Sequence, residues 1–197
     1  MDPQPEMRAP VDDASSLRAD RRLAFAAIML ASLHAAYHIG RGHAGEMLWM
    51  CNASVVLLAV GLTTRADRVI GVGTLWILVG LPLWLDHVLS GRGVLLPTSI
   101  LSHVGGFVIA LLSTRRRGLA KGSWWRAGAA MVAVWVVARL ITSPVDNVNL
   151  AFRIWPGWER YSTSFPLYLA GSGSTVVLAF VLFEWTARKL WPRTQAA

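Results

Sequence analysis

Six apolar runs, each long enough to cross a lipid bilayer, occupy most of this 197-residue sequence. A spanning helix needs about 20 apolar residues, so the length allows six such helices with short connections and little else. The composition agrees, because 54% of the residues are hydrophobic, 15% are charged and the mean hydropathy is +0.46. The sequence therefore predicts an all-α, polytopic membrane protein with a six-helix transmembrane bundle. The predicted spans are approximately 23–40, 47–63, 69–89, 94–114, 127–143 and 166–187.

The two ends of the chain are predicted to lie outside the bundle, which is expected to cover residues 23–190. Residues 1–22 combine both charge signs with three prolines and are predicted to be a flexible cytoplasmic tail. This tail is long and acidic for the charged region of a signal peptide, so we expect the first span to be retained. Residues 191–197 form a second predicted cytoplasmic tail.

The chain has a net charge of +8, and its positive charges are spread unevenly along the sequence. The basic residues occupy alternate connections, as the positive-inside rule describes, which predicts that both termini are cytoplasmic. Topology and lipid headgroups account for the charge, and no nucleic-acid partner is predicted. We expect a location in the bacterial cytoplasmic (inner) membrane. The predicted cytoplasmic cations are Arg18, Arg21, Arg22, Arg65, Arg68, Arg115, Arg116, Arg117, Lys121, Arg126, Arg188, Lys189 and Arg193.

The polar residues of the predicted spans share one depth. Each helical residue rises by about 1.5 Å, so the topology places nearly all of these side chains in the outer half of the membrane. Ionisable groups at that depth are costly and usually face a bundle interior or a wet cavity, so we expect a polar cavity there. The residues concerned are His34, His38, Cys51, Asn52, Asp86, His87, Ser99, Ser102, His103 and Arg139, followed by Asp146, Asn147 and Asn149 in the longest outer connection.

Two pairs of these residues have more than one interpretation. His34 and His38 are four residues apart and share a helix face, which suits a pair of metal ligands, a base with a positioning partner, or a hydrogen bond between packed helices. Asp86 and Arg139 are predicted either to neutralise each other or, for Asp86, to orient a histidine.

The sequence has one cysteine, Cys51, and therefore forms no internal disulfide. Cys51 is either a core thiol or a nucleophile, and a nucleophilic thiol needs an adjacent base. His103 lies at comparable depth on the fourth span and precedes two glycines that permit close packing. Ser99 and Ser102, on the same span, either bond to their own backbone or assist His103.

The order of these features resembles the androgen-induced protein family of intramembrane fatty-ester hydrolases, with its YwaF-like bacterial and acyltransferase relatives. The resemblance rests on Trp49, Cys51 and Asn52 in the second span, on His103 ahead of a small-residue run, and on the segment 147–152. It implies a nucleophile on the second span and a histidine on the fourth. The hydrolases carry a threonine at the first position and the acyltransferase relatives a cysteine, so the matching residues here are Cys51 and His103.

The first functional hypothesis is an intramembrane hydrolase or acyltransferase that acts on a membrane lipid or fatty-acid ester without a cofactor. Cys51 would attack the acyl carbonyl, and His103 would take up and return the proton. Asn52, or else Ser99 or Ser102, would stabilise the oxyanion. The predicted supporting residues are Asp86, His87, Arg139, Asn147 and Asn149.

Two further hypotheses use the same residues differently. In one, His34, His38, His87 and His103, with Asp86, bind zinc for metal-assisted hydrolysis, or two of the histidines bind haem. In the other, the protein is a small transporter or a lipid-binding subunit, and the polar residues pair with one another.

Overall fold

The computed structural model describes residues 13–91 and 95–193, with the backbone alone for residues 13–16. Within these ranges the chain is helical and contains no strand, which confirms the predicted all-α class. Two short 3₁₀ helices, Ala44–Leu48 and Val148–Leu150, lie in the connections. The main helices are α1 (Asp13–Gly40), α2 (Met50–Thr64), α3 (Asp67–Leu89), α4 (Pro97–Arg117), α5 (Ser123–Ile141) and α6 (Phe165–Leu190).

Five of these helices, all except α2, are long and apolar enough to cross a membrane. They are the helices of an integral membrane protein. α2 has 15 residues, so it rises only about 22 Å, less than the roughly 30 Å of a bilayer core. The 3₁₀ helix Ala44–Leu48 precedes it and lengthens this passage of the chain. The sixth membrane span therefore stays a prediction.

Two predicted boundaries differ from the observed helices. α1 begins at Asp13, so residues 13–22 of the predicted flexible tail are helical. The remainder of that tail, residues 1–12, and residues 194–197 lie outside the described residues. α2 begins at Met50 rather than at residue 47, because Trp49 has the extended ψ of 132° and separates the 3₁₀ helix from α2.

α2 and α3 form the centre of the bundle. α2 packs between α1 and α3, and α3 also contacts α4, α5 and α6. Small residues permit this close approach, as in other membrane bundles. A Cβ atom on Gly61 would lie 2.7 Å from the Ile70 side chain, and one on Gly73 would lie 2.9 Å from the Ser54 carbonyl oxygen.

The opposite faces of the outer helices are apolar and unpacked. On α6, Leu178, Leu182 and Trp185 are exposed, and on α5 Val132 and Leu140 are exposed. Exposed apolar faces of this extent are costly in water and suit contact with lipid tails.

One end of the bundle, which we call the basic end, is held by ion pairs. Arg117 at the end of α4 donates to Asp20 of α1 and to Asp67 of α3. Arg193 also donates to Asp67, at 2.5 Å. The carboxylate of Glu184 on α6 accepts hydrogen bonds from the first backbone N–H groups of α5. The polar residues predicted to share one depth lie toward the opposite end, which we call the histidine end.

Candidate functional site

A chain of buried hydrogen bonds joins α1, the 3₁₀ helix and α2 at the histidine end. His38 Nδ1 lies 2.9 Å from Glu46 Oε2, and His38 Nε2 lies 3.2 Å from His34 Nε2. His34 Nε2 also lies 3.1 Å from Asn52 Oδ1. Asn52 Nδ2 donates to the Glu46 carbonyl oxygen at 2.9 Å, which closes the circuit. The helical spacing of His34 and His38 therefore produces contact between the two rings, and the second helix contributes Asn52.

These contacts assign the protons of the two α1 histidines. A carboxylate only accepts, so His38 carries a proton on Nδ1 and offers the lone pair of Nε2. The Nε2 proton of His34 then lies between Asn52 Oδ1 and His38 Nε2. His34 Nδ1 is left as an unprotonated acceptor, and it is buried with no hydrogen-bond partner among the described residues.

His103 lies in a π-helical turn, Leu101–Gly105, within α4. Turns of this kind insert an extra residue into a helix and occur frequently at functional sites. The His103 ring is 2% exposed and stacks on Trp84 of α3, with ring centroids 4.6 Å apart and planes 14° apart. Its centroid lies 6.4 Å from that of His34, so α4 brings a third imidazole to the α1 pair.

The proton of His103 is fixed in the same way. Its Nδ1 lies 2.8 Å from the Ser99 carbonyl oxygen, which only accepts, so Nδ1 carries the proton. The Ser99 hydroxyl lies 3.4 Å from the same nitrogen. In the neutral ring His103 Nε2 then has a free lone pair, and this nitrogen is buried without a hydrogen-bond partner in the described parts of the chain. Such a nitrogen can accept a proton.

Cys51 borders the same face of α3 as His103. A Cβ atom on Gly80 would lie 2.8 Å from Cys51 Cβ, and Gly80 is one turn before Trp84. Deeper in the bundle, a Cβ atom on Gly106 would lie 2.8 Å from Val55 Cγ2. Cys51 is four residues from Val55 and His103 is three from Gly106, about 6 and 4.5 Å along their helices. The two side chains therefore lie at nearly the same depth.

The sequence left open whether Cys51 and His103 are in contact. The Cys51 thiol is half-buried and donates weakly to Asn52 Oδ1, at 3.9 Å. No hydrogen bond joins Cys51 to His103 among the contacts of the described residues. The structure thus brings Cys51, Asn52 and His103 to one junction of α2, α3 and α4 without pairing the thiol and the imidazole directly.

Asn149 in the connection between α5 and α6 holds the start of α2. Its side-chain oxygen accepts from the Met50 backbone N–H at 2.9 Å, and its amide nitrogen donates to the Leu48 carbonyl at 2.6 Å. Asn149 adopts a left-handed conformation with φ of 51°, which asparagine tolerates better than most residues. This predicted supporting residue therefore positions the helix that carries Cys51 and Asn52.

Asn147 and Arg139 hold that connection in place. Asn147 Oδ1 accepts from the backbone N–H groups of Phe152 and Arg153, each at 3.0 Å. The Arg139 guanidinium donates to the Ala151 carbonyl at 2.5 Å and lies over the Phe152 ring. The predicted Asp86–Arg139 ion pair is absent from the contacts of these two described residues, because the backbone of the connection satisfies Arg139.

The other predicted residues lie around this centre. Asp86 is exposed, and His87 is half-buried with its ring 5.3 Å from that of Trp155. Ser102 is buried in the π turn next to His103. Ser99 contributes mainly its carbonyl oxygen.

The sequence interpretation missed Glu46 and Trp84. Glu46 lies in the connection between the first two spans, which was interpreted only as a tight turn. A carboxylate between the helix that carries the two histidines and the helix that carries Cys51 and Asn52 is a signal that could have identified it. Trp84 lies one turn after Gly80, where an aromatic ring can reach over a neighbouring helix.

The four histidines of the metal hypothesis do not form a compact set of ligands. In the described ranges, one group of three potential ligands lies with all donor atoms within 4.8 Å of one another, and it consists of His43, Glu46 and Asp146. Two of the predicted ligands, His34 and His38, instead hydrogen-bond to each other. Zinc and haem binding stay predictions.

Comparisons with protein-family models, curated proteins and solved structures give no match to this chain.

Proposed function

We propose that this protein is an intramembrane enzyme that cleaves or transfers the acyl group of a lipid ester, with Cys51 as nucleophile and His103 as base. The observation that carries the proposal is the buried Nε2 of His103, which has no hydrogen-bond partner among the described residues, while Nδ1 of the same ring lies 2.8 Å from the Ser99 carbonyl oxygen. The resemblance to the fatty-ester hydrolases and acyltransferases supports the same two residues. The histidine end would face the outer leaflet, as the positive-inside rule predicts.

The position of Cys51 supports its role as nucleophile. It is the second residue of α2, where backbone N–H groups have no partner within the helix. The same N–H groups can stabilise the negative oxygen of a tetrahedral intermediate.

The chemical steps balance with these two groups and the substrate. His103 Nε2 takes the thiol proton, directly or through a water, while the sulfur attacks the acyl carbonyl carbon. The ester C–O bond then breaks, and the leaving alcohol takes the proton from His103. The resulting thioester at Cys51 is resolved by water, which releases a fatty acid, or by a second alcohol or amine, which receives the acyl group.

The hydrogen bonds of Asn52 add a positioning role to its predicted role as oxyanion donor. One N–H of its amide donates to the Glu46 carbonyl and its oxygen lies 3.1 Å from His34 Nε2, so Asn52 joins α2 to α1. The second N–H of the same amide, or the Ser102 hydroxyl, would donate to the oxyanion, since Ser99 already interacts with the ring of His103.

The test uses the full chain in lipid nanodiscs and a panel of phospholipids, acylglycerols and fatty-acid esters. Cys51→Ala should abolish turnover, and His103→Asn should reduce it by about 100-fold or more, because a general base contributes about 10²–10⁴-fold. Asparagine keeps an N–H donor for the Ser99 carbonyl but offers no base. Thr64→Val, at an exposed residue that bonds only to the Val60 carbonyl of its own helix, is the control and should retain turnover.

Mass spectrometry provides a direct measurement of the intermediate. Wild-type protein quenched during turnover should carry an acyl group on Cys51, and Cys51→Ala should not. Unchanged turnover in both Cys51→Ala and His103→Asn would refute the proposal.

One observation favours a second candidate function, a proton-coupled transporter. The chain Glu46–His38–His34–Asn52 is a continuous hydrogen-bonded path from a partly exposed carboxylate to a buried amide. Proteoliposomes containing a pH-sensitive dye distinguish the two. Transport predicts proton flux that His34→Asn abolishes and Cys51→Ala leaves unchanged, whereas the enzyme predicts no flux.

A further inference from the structure

A cavity of about 460 Å³ opens at the basic end, remote from the histidines. It is formed by the first turn of α3, by the connection between α4 and α5, and by the segment after α6. Its volume falls within the range of small-ligand sites. The lining residues are Ala66, Asp67, Arg68, Ala120, Lys121, Arg126 and Arg193.

The cavity carries an excess of positive charge. Its single carboxylate, Asp67, is already shared by Arg117 at 2.8 Å and by Arg193 at 2.5 Å. Arg68 and Lys121 are exposed and have no carboxylate partner among the described residues. Because Arg117 and Arg193 already neutralise Asp67, the positive charges of Arg68 and Lys121 are free to bind an anion from outside the chain.

The groups beside the cavity place it at the level of lipid headgroups. The Arg126 guanidinium stacks over the ring of Trp125, at 4.7 Å, and donates to the Lys121 carbonyl. Lys189 lies over the ring of Trp185, at 3.8 Å. Exposed tryptophans next to cations are typical of the boundary between the hydrocarbon core and the headgroups.

We propose that this cavity binds a phosphate group, with Arg68, Lys121 and Arg126 as its ligands. An arginine offers parallel N–H donors to phosphate oxygens and a lysine offers a point charge, so the set suits a phosphomonoester or phosphodiester. Phosphate of this kind is supplied by an anionic phospholipid of the adjacent leaflet or by a soluble phosphorylated compound. The site is independent of the chemistry at the histidine end.

The experiment measures binding by native mass spectrometry and by thermal shift, on the full chain in detergent. Phosphatidylglycerol tests the anionic lipid, phosphatidylcholine is the zwitterionic comparison, and glycerol 3-phosphate and inorganic phosphate test the soluble source. Arg68→Gln and Lys121→Gln should each weaken binding about 5-fold, and the double variant about 25-fold, because each removes one exposed ion pair with the bound phosphate. The melting temperature without ligand checks that each variant is folded.

Arg115→Gln is the matched control, because Arg115 is an exposed cation of the same end that does not line the cavity. Preferential binding of phosphatidylglycerol that the cavity variants weaken and Arg115→Gln leaves intact would support the lipid as the source. The same pattern with glycerol 3-phosphate or phosphate alone would support a soluble source. Equal loss in Arg115→Gln would overturn the proposal, and so would equal binding of the two lipids together with no binding of glycerol 3-phosphate or phosphate.

Discussion

At the scale of single residues, hydrogen-bond partners give the three buried histidines different chemistry. His38 is tied to a carboxylate and His34 to an amide, so both belong to a closed chain. His103 is tied to a backbone carbonyl through one nitrogen, and the other nitrogen is left as a base. Three similar imidazoles in the sequence thus become two members of a relay and one ring outside it. His34 Nδ1, like His103 Nε2, has no hydrogen-bond partner among the described residues, and His103 is the candidate base because Cys51 lies at nearly its depth.

Asn52 is the residue whose loss should most disturb this arrangement. Asn52→Leu preserves approximate size but leaves the Glu46 carbonyl without its amide donor and removes an acceptor for His34. Unpaired buried polar groups cost about 1–3 kcal/mol, so we expect a loss of this size in the free energy of unfolding. Denaturant titration in mixed micelles measures it.

Thr64→Val provides the comparison for Asn52→Leu. The Thr64 hydroxyl is exposed and bonds only to its own helix, at the Val60 carbonyl, so its removal should change stability by less than about 0.5 kcal/mol. Equal stability of the two variants would show that the buried circuit does not stabilise the fold.

At the scale of helices and connections, the position of α2 depends on a loop far away in sequence. The connection after α5 is held by Arg139 and then brings Asn149 to the first turn of α2. In α4, the π turn displaces His103 from the register of a regular helix. Both features determine where Cys51 and His103 lie, and neither is a property of the spanning runs themselves.

Replacement of Asn149 should loosen the start of α2. Asn149→Gly removes the bonds to Met50 and Leu48 but accepts the left-handed φ, so the Met50–Asn52 amides should exchange hydrogen faster while most of the fold is retained. Asn149→Ala should cost roughly 1 kcal/mol more, because a Cβ is disfavoured at this φ. Hydrogen-exchange mass spectrometry and thermal melting measure the two effects.

Asn147→Gly is the control at the same kind of backbone position, with φ of 45°. Asn147 bonds within the connection, so its loss should accelerate exchange at Phe152 and Arg153 rather than in α2. Unchanged exchange at α2 in both Asn149 variants would contradict the positioning role.

The spanning helices were predictable because hydrophobic length is local information. The observed α3 and α6 lie within three residues of the spans predicted at 69–89 and 166–187. The start of α1 at Asp13 and the start of α2 at Met50 were not predictable from hydrophobic length. Charged residues extend α1 beyond its apolar run, and a 3₁₀ helix replaces the first turn of the second run. Of the candidate site, the shared depth was predictable. The pairing of Glu46 with His38 and of Trp84 with His103 depends on helix rotation, which the apolar pattern of a lipid-exposed helix determines poorly.

At the scale of the whole molecule, charge and polarity are separated along the bundle. The basic end is held by arginine–carboxylate pairs around Asp67, and the histidine end by hydrogen bonds around His34. The helices between them present apolar faces to the outside. The two proposed sites, for an acyl ester and for phosphate, therefore lie at opposite ends of the bundle.

The orientation of the bundle is the last prediction, and single cysteines test it. In a Cys51→Ser background, which removes the native thiol, Glu159→Cys should react with an impermeant maleimide in intact cells. Lys121→Cys should react only after the membrane is opened, because the positive-inside rule keeps the basic end in the cytoplasm. Both positions are exposed, so a difference in labelling reports the side of the membrane rather than burial. Labelling of Lys121→Cys in intact cells would reverse the topology and would place His103 and Cys51 in the inner leaflet.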